Sequence, residues 1–105
     1  PGISESLARL CIAAGSELSA ALNAVLHWLQ PIEHPYYVIH RLHESGLCGR
    51  FPIDALRLLA AIVSDQPWGA PELGQCLDLI VQADPSLAQD PNYQRLREYA
   101  RRRGG

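Results

Sequence analysis

Lysine and methionine are both absent from this 105-residue sequence, whose nine basic residues are all arginine. That bias, beside sixteen leucines and thirteen alanines, indicates a GC-rich bacterial genome. Long apolar runs are also missing, since no stretch approaches the ~20 residues of a membrane-spanning helix. Residues 1–6 hold no basic segment before an apolar run, so we expect neither a signal peptide nor a membrane contact. The 48% hydrophobic content suffices for one core, and the length is too short for two domains.

Cysteine is scarce as well, with only Cys11, Cys48 and Cys76. A disulfide framework needs an even number of cysteines, so this odd, widely spaced set predicts reduced thiols and a cytoplasmic location. Cys11 and Cys76 fall on apolar stripes, where a thiol is inert. Cys48, between Gly46 and Gly49, is predicted to be the exposed one.

Signals for helix starts and stops run through the whole sequence and predict an all-α fold. The residues that favour a helix start are Ser4, Ser16, Pro35, Pro52, Pro71 and Pro91. The stripe expected to face inward in the first helix consists of Leu7, Leu10, Cys11 and Ala14. The second helix is expected to extend to Gln30, where Pro31 ends it. No segment has the period of two that marks a half-buried strand.

These signals predict a single domain spanning 1–105 with about six helices packed as antiparallel hairpins. Helix starts recur at intervals close to the ~40 residues of helical-hairpin solenoids, although the side chains do not repeat. The architecture is therefore either HEAT-like or a compact orthogonal bundle.

Histidines form the densest polar cluster, which is a candidate for chemistry. His40 and His43 lie three positions apart on a predicted helix, so both imidazoles could reach one Zn²⁺ with His27 as a third ligand. The metalloprotease motif H-E-x-x-H is absent, however, and capping or packing roles are commoner for such residues. A dyad of Cys48 with His43 lacks a glycine-rich nest or a nucleophile elbow for an oxyanion. We therefore predict no catalytic residue, no cofactor and no metal, with a histidine-centred hydrolase as a rival interpretation.

Charge is divided unevenly along the sequence. Residues 95–105 carry five arginines and one glutamate, a balance of +4, whereas residues 1–94 carry −6. The candidate phosphate contacts are Arg95, Arg101, Arg102 and Arg103. Arginine at a helix C-terminus also complements the helix dipole, and the acidic remainder disfavours a broad nucleic-acid surface. Nucleic-acid binding is therefore the alternative function and not the preferred one.

Aromatic residues supply the preferred candidate surface. Tyr36 and Tyr37 are consecutive at a helix start, so they cannot both face inward, and exposed aromatics favour protein contacts. Trp68 lies in a Pro-Trp-Gly loop, either on that surface or folded back over the core. The predicted interaction surface consists of Tyr36, Tyr37, His40, Arg41 and Trp68.

About two thirds of the chain, residues 31–103, resembles the HEAT-like helical C-terminal tails of large bacterial multidomain proteins of nucleotide-binding or defence type. The segments that carry the resemblance are HPYYVIHRLHESGL (34–47), ALRLLAAIVSDQPW (55–68) and LGQCLDLIVQADPSLAQDPNYQRLREYARR (73–102). The resemblance implies a C-terminal piece of a longer protein whose enzymatic module lies upstream, and it transfers no catalytic residue. The expected function is a non-enzymatic interaction or scaffold domain of a bacterial cytosolic protein, with an upstream domain or another protein as partner.

Overall fold

Helices account for nearly all of the chain that the computed structural model describes, which is residues 3–32, 35–63 and 71–104, with the backbone alone described at Pro71 and 102–104. The α-helices of this part of the chain are α1 Ile3–Ala13, α2 Leu18–Val25, α3 Tyr36–Ser45, α4 Leu47–Arg50, α5 Pro52–Ile62, α6 Pro71–Ala83 and α7 Pro91–Gly104. Short 3-10 segments occur at Gly15–Glu17, Leu26–Trp28 and Pro85–Gln89. No strand is found among the described residues, so the all-α prediction is confirmed.

The predicted prolines and glycines stand at the helix ends, whereas Ser4 lies within α1 and its hydroxyl accepts a hydrogen bond from the backbone N of Gln30. Gly15 and Gly46 have φ angles of +58° and +77°, the left-handed conformation that glycine adopts without strain where a helix stops. Pro52 is the first residue of α5. At the start of α7, the Oδ1 atom of Asp90 accepts a hydrogen bond from the backbone N of Asn92 at 2.8 Å, as expected of an N-cap.

Removing that cap should destabilise α7. We expect Asp90→Ala to lower the free energy of unfolding by about 1 kcal/mol, because two backbone N–H groups lose a side-chain acceptor. Asp90→Asn keeps the accepting oxygen and should retain most of the stability. Urea unfolding followed by circular dichroism measures both variants, and equal losses in the two would contradict the capping explanation.

The core lies between α5 and α6, and the remaining helices pack around it. Helix α6 contacts α3, α4, α5 and α7. The buried residues of α5 are Ala55, Leu56, Leu58, Leu59 and Ile62. Those of α6 include Leu73, Cys76, Leu77 and Ile80. Every buried residue in the described part of the chain is apolar, and the molecule measures 33 × 30 × 23 Å, so the hydrophobic effect dominates its stability.

Helix α1 buries a face that matches the predicted one only in part, because Cys11 is buried and Leu7 packs against the core but Leu10 does not. Leu10 is 64% exposed, whereas Ala8, Cys11 and Ile12 are buried. The prediction for Leu10 was wrong because α1 carries apolar residues on two faces. The contacts of α1 with α2, α3 and α5 cover the face that carries Ala8, Cys11 and Ile12, so this face enters the core.

The second helix is also shorter than predicted. α2 ends at Val25, and the 3-10 turn Leu26–Trp28 replaces its last turn. Leu29 is then extended, with φ −76° and ψ 136°, as the chain approaches Pro31. Ser16 lies in a 3-10 turn, and no side chain caps α2, so the predicted Ser16 cap was wrong.

Helix α4, a single turn, was not predicted. It follows Gly46 directly and places Leu47 and Cys48 in the core, because the left-handed glycine turns the chain back towards α6. The prediction that Cys48 is exposed was therefore wrong, since it is fully buried. Trp68 lies outside the described residues.

Candidate interaction surface on helix α3

Four of the five residues predicted to form an interaction surface lie on the outer side of α3. Val38, Ile39 and Leu42 are the buried residues of α3. The 3.6-residue period of the helix therefore turns its opposite side outward. Tyr36 and Tyr37 are 56% and 44% exposed, the His40 side chain is 46% exposed, and Arg41 is exposed. We call this outer side, with Glu44, the α3 surface. Its residues are Tyr36, Tyr37, His40, Arg41 and Glu44.

One edge of the α3 surface is basic. The guanidinium carbon of Arg9, on α1, lies 5.4 Å from the centre of the Tyr37 ring, a cation–π contact that orients the ring. Arg41 is one helical turn after Tyr37, so it extends along the same edge. We call Arg9, Tyr37 and Arg41 the basic flank.

The opposite edge is acidic and is formed with α6. Nδ1 of His40 lies 2.7 Å and 2.9 Å from the two carboxylate oxygens of Glu72, and Nε2 lies 3.2 Å from the Glu44 carboxylate. Nδ1 of His43 lies 3.4 Å from Glu72. The His40 ring therefore lies between two carboxylates, Glu72 from α6 and Glu44 from its own helix. We call Glu72, with His40 and His43 against it, the acidic flank.

The three histidines of the rival hydrolase interpretation are not brought together. His40 and His43 share Glu72, but the ring of His27 lies against Trp28 with centroids 5.0 Å apart. Within residues 3–32, 35–63 and 71–104, no group of three or more His, Cys, Asp or Glu residues has the geometry to hold a metal ion. The histidines of α3 are instead partners of a carboxylate from α6.

The three cysteines are free and buried. The thiol of Cys76 donates a hydrogen bond to the backbone O of Ile39 at 3.8 Å, and its interaction with the Cys48 thiol together with burial raises the pKa of Cys76 above its ordinary value. Burial likewise raises the pKa of Cys11. Thiols in this state are poor nucleophiles, because only the thiolate attacks.

The raised thiol pKa of Cys76 predicts a loss of stability in alkali. In the unfolded chain this thiol ionises near its ordinary pKa, while in the folded chain it stays protonated. Its contribution is therefore complete at neutral pH and is lost as pH rises. One pH unit above the ordinary thiol pKa, we expect a loss of about 1.4 kcal/mol.

Urea unfolding at about pH 7 to 10 measures this loss. Cys76→Ala should be less stable at neutral pH but should show a shallower decline with pH. Parallel declines in the two proteins would contradict the assignment.

The arginines of α7 differ in their surroundings. Nη1 and Nη2 of Arg95 donate hydrogen bonds to the backbone O atoms of Val63 and Ala60, at 3.3 Å and 3.1 Å. Arg95 thus satisfies carbonyls at the end of α5. Arg101 is exposed, and the side chains of Arg102 and Arg103 lie outside the described residues.

Sequence reasoning missed the role of Arg97. Its guanidinium donates to Asp78 on α6 and, at 3.1 Å, to the hydroxyl of Tyr93. An arginine two positions after Arg95 in an Arg-rich segment carried no signal for a partner on α6.

In the described part of the chain no single helix is long and apolar enough to cross a membrane. Helix α1 and the segment Gly15–Trp28 together have the length and apolar composition of a membrane span, but they are bent by 117° at the break between them.

Among known proteins, one from the bacterium Sinorhizobium fredii (strain NBRC 101917 / NGR234), described as uncharacterized protein y4cA, is similar to this chain. The two are 32% identical over 98 residues. The match covers 90% of this chain but 8% of that protein, so the chain spans less than a tenth of its relative's length. No family model and no solved structure matches the chain.

Proposed function

We propose that this chain is a non-enzymatic helical interaction domain of a larger bacterial cytosolic protein, and that the α3 surface makes its contact. The proposal includes a HEAT-like order of the helical hairpins and a cytoplasmic location. The bacterial relative supports the proposal that this chain is part of a larger protein, because the match covers only 8% of that relative.

The observation that carries the proposal is the composition of the α3 surface. Tyrosine and arginine are enriched at the centres of protein interfaces, where each buries a large area at low entropic cost. Tyr37 is held by Arg9 and His40 by Glu72, so part of this surface is ordered before a partner binds. Such preorganisation lowers the entropic cost of association.

A protein partner is better supported than a nucleic acid. Arg95, one of the four candidate phosphate contacts, already donates to two backbone carbonyls. The α3 surface has both charge signs, whereas a phosphate backbone selects a basic face.

Site-specific photo-crosslinking in the native cell tests this function. A photoreactive phenylalanine analogue replaces Tyr36 in the full-length protein, and a matched variant carries it at Ile53, which is 54% exposed on α5. We expect a crosslinked protein adduct from position 36 at several times the yield from position 53. Equal yields, or an adduct from position 36 removed by nuclease, would overturn the proposal.

A further inference from the structure

We infer that the partner of the α3 surface is a second copy of the same chain, bound about a two-fold axis that runs roughly along α3. This inference rests on the proposed function, because it uses the same surface. The carrying observation is the separation of charge between the two edges of that surface. Arg9 and Arg41 lie on the edge towards α1, and Glu72 lies on the edge towards α6.

A two-fold axis along a helix brings opposite edges of the two copies together. The basic flank of each copy then lies over the acidic flank of the other, so the favourable pairing occurs twice in one dimer. An unrelated partner would need the mirrored charge pattern, whereas a second copy supplies it by symmetry. Complementary charge of this kind sets the register of association and excludes wrong partners.

The position of Glu44 determines where the helices meet. Glu44 lies between the two edges of the α3 surface, near the C-terminal end of the helix. Two exactly aligned helices would therefore place the Glu44 carboxylates of the two copies opposite each other. The two α3 helices therefore cross near Tyr37, the usual ridge-into-groove geometry, and diverge towards Glu44. In this arrangement Glu44 stays in solvent beside His40, at 3.2 Å.

Charge reversal with mixing tests the inference on the whole chain. The unaltered chain, followed by sedimentation over about 5 to 500 µM, should dimerise reversibly, since one helix face is a small interface. Arg41→Glu and Glu72→Arg should each weaken self-association at least tenfold, because each places like charges across both edges. The two variants mixed in equal amounts should form a heterodimer about as tight as the unaltered dimer, because every edge then pairs opposite charges.

Two further measurements keep the test decisive. Circular dichroism confirms that each variant is folded, and if Glu72→Arg does not fold, salt dependence takes its place. The dissociation constant of the unaltered dimer should rise at least about fivefold between 0.05 and 0.5 M NaCl. Arg50→Glu, an exposed position on α4, serves as the matched control and should leave dimerisation unchanged.

A chain that stays monomeric at every concentration would overturn the inference, as would a dimer that is insensitive to both reversals. The proposed function would survive either result if position 36 still crosslinks to a different protein. If position 36 also gives no more crosslinked protein than position 53, both the inference of a second copy and the proposed function are overturned.

Discussion

Leu77→Ala is expected to lower the free energy of unfolding by about 3 kcal/mol. Leu77 is fully buried on α6, the helix that contacts α3, α4, α5 and α7. Truncation removes the transfer free energy of the side chain and leaves a cavity among helices fixed by other contacts. Domains of this size are stable by roughly 5 to 15 kcal/mol, so one such change removes a large share.

Leu10→Ala provides a matched control with the same chemistry at an exposed site. Because Leu10 is 64% exposed, its truncation should change the free energy of unfolding by less than about 0.5 kcal/mol. Urea unfolding measures both variants. Similar losses at Leu10 and Leu77 would contradict the burial pattern of α1 and α6.

Tyr37→Ala is expected to weaken association through the α3 surface by about 30-fold. That factor corresponds to about 2 kcal/mol, the level of an interface hot spot. The change removes the ring and also releases Arg9 from its 5.4 Å cation–π contact, so the basic flank loses its order. Stability should fall by less than about 1 kcal/mol, because an exposed cation–π contact contributes little to folding.

Tyr37→Phe is the matched control, because it retains the ring on which Arg9 lies. Its dissociation constant should remain within about threefold of that of the unaltered chain. The readouts are the sedimentation dimer constant and the crosslinking yield from position 36. If alanine and phenylalanine have the same effect, the ring is not the contact.

The fold was largely predictable because its signals are local. Prolines at helix starts and glycines at helix stops act through their own backbone angles, so Pro52, Pro71 and Gly46 are sufficient to locate α5, α6 and the end of α3. The inward face of α1 was not predictable in this way, since Leu10 and Ile12 are both apolar. Only the approach of other helices decides which of them is buried.

The outer face of α3 was predictable, but the groups that flank it were not. Two consecutive tyrosines cannot both be buried, which is sufficient to place one of them on the surface. Glu72, however, is 32 residues from His40 in sequence, and Arg9 precedes Tyr37 by a full helical hairpin. Contacts at such separations depend on how the helices pack, so the charge difference between the two flanks emerges only from the structure.

The central claim is that another protein chain covers the α3 surface in the cell. Hydroxyl-radical footprinting tests it most directly, by comparing the full-length protein in its native cell with the isolated chain at high dilution. Trp28, which is 62% exposed on the turn after α2 and is not one of the α3 surface residues, serves as an internal control. We predict that oxidation of Tyr36 and Tyr37 falls at least about fivefold in the cell while Trp28 is unchanged. Equal oxidation of the two tyrosines in both settings would contradict the account.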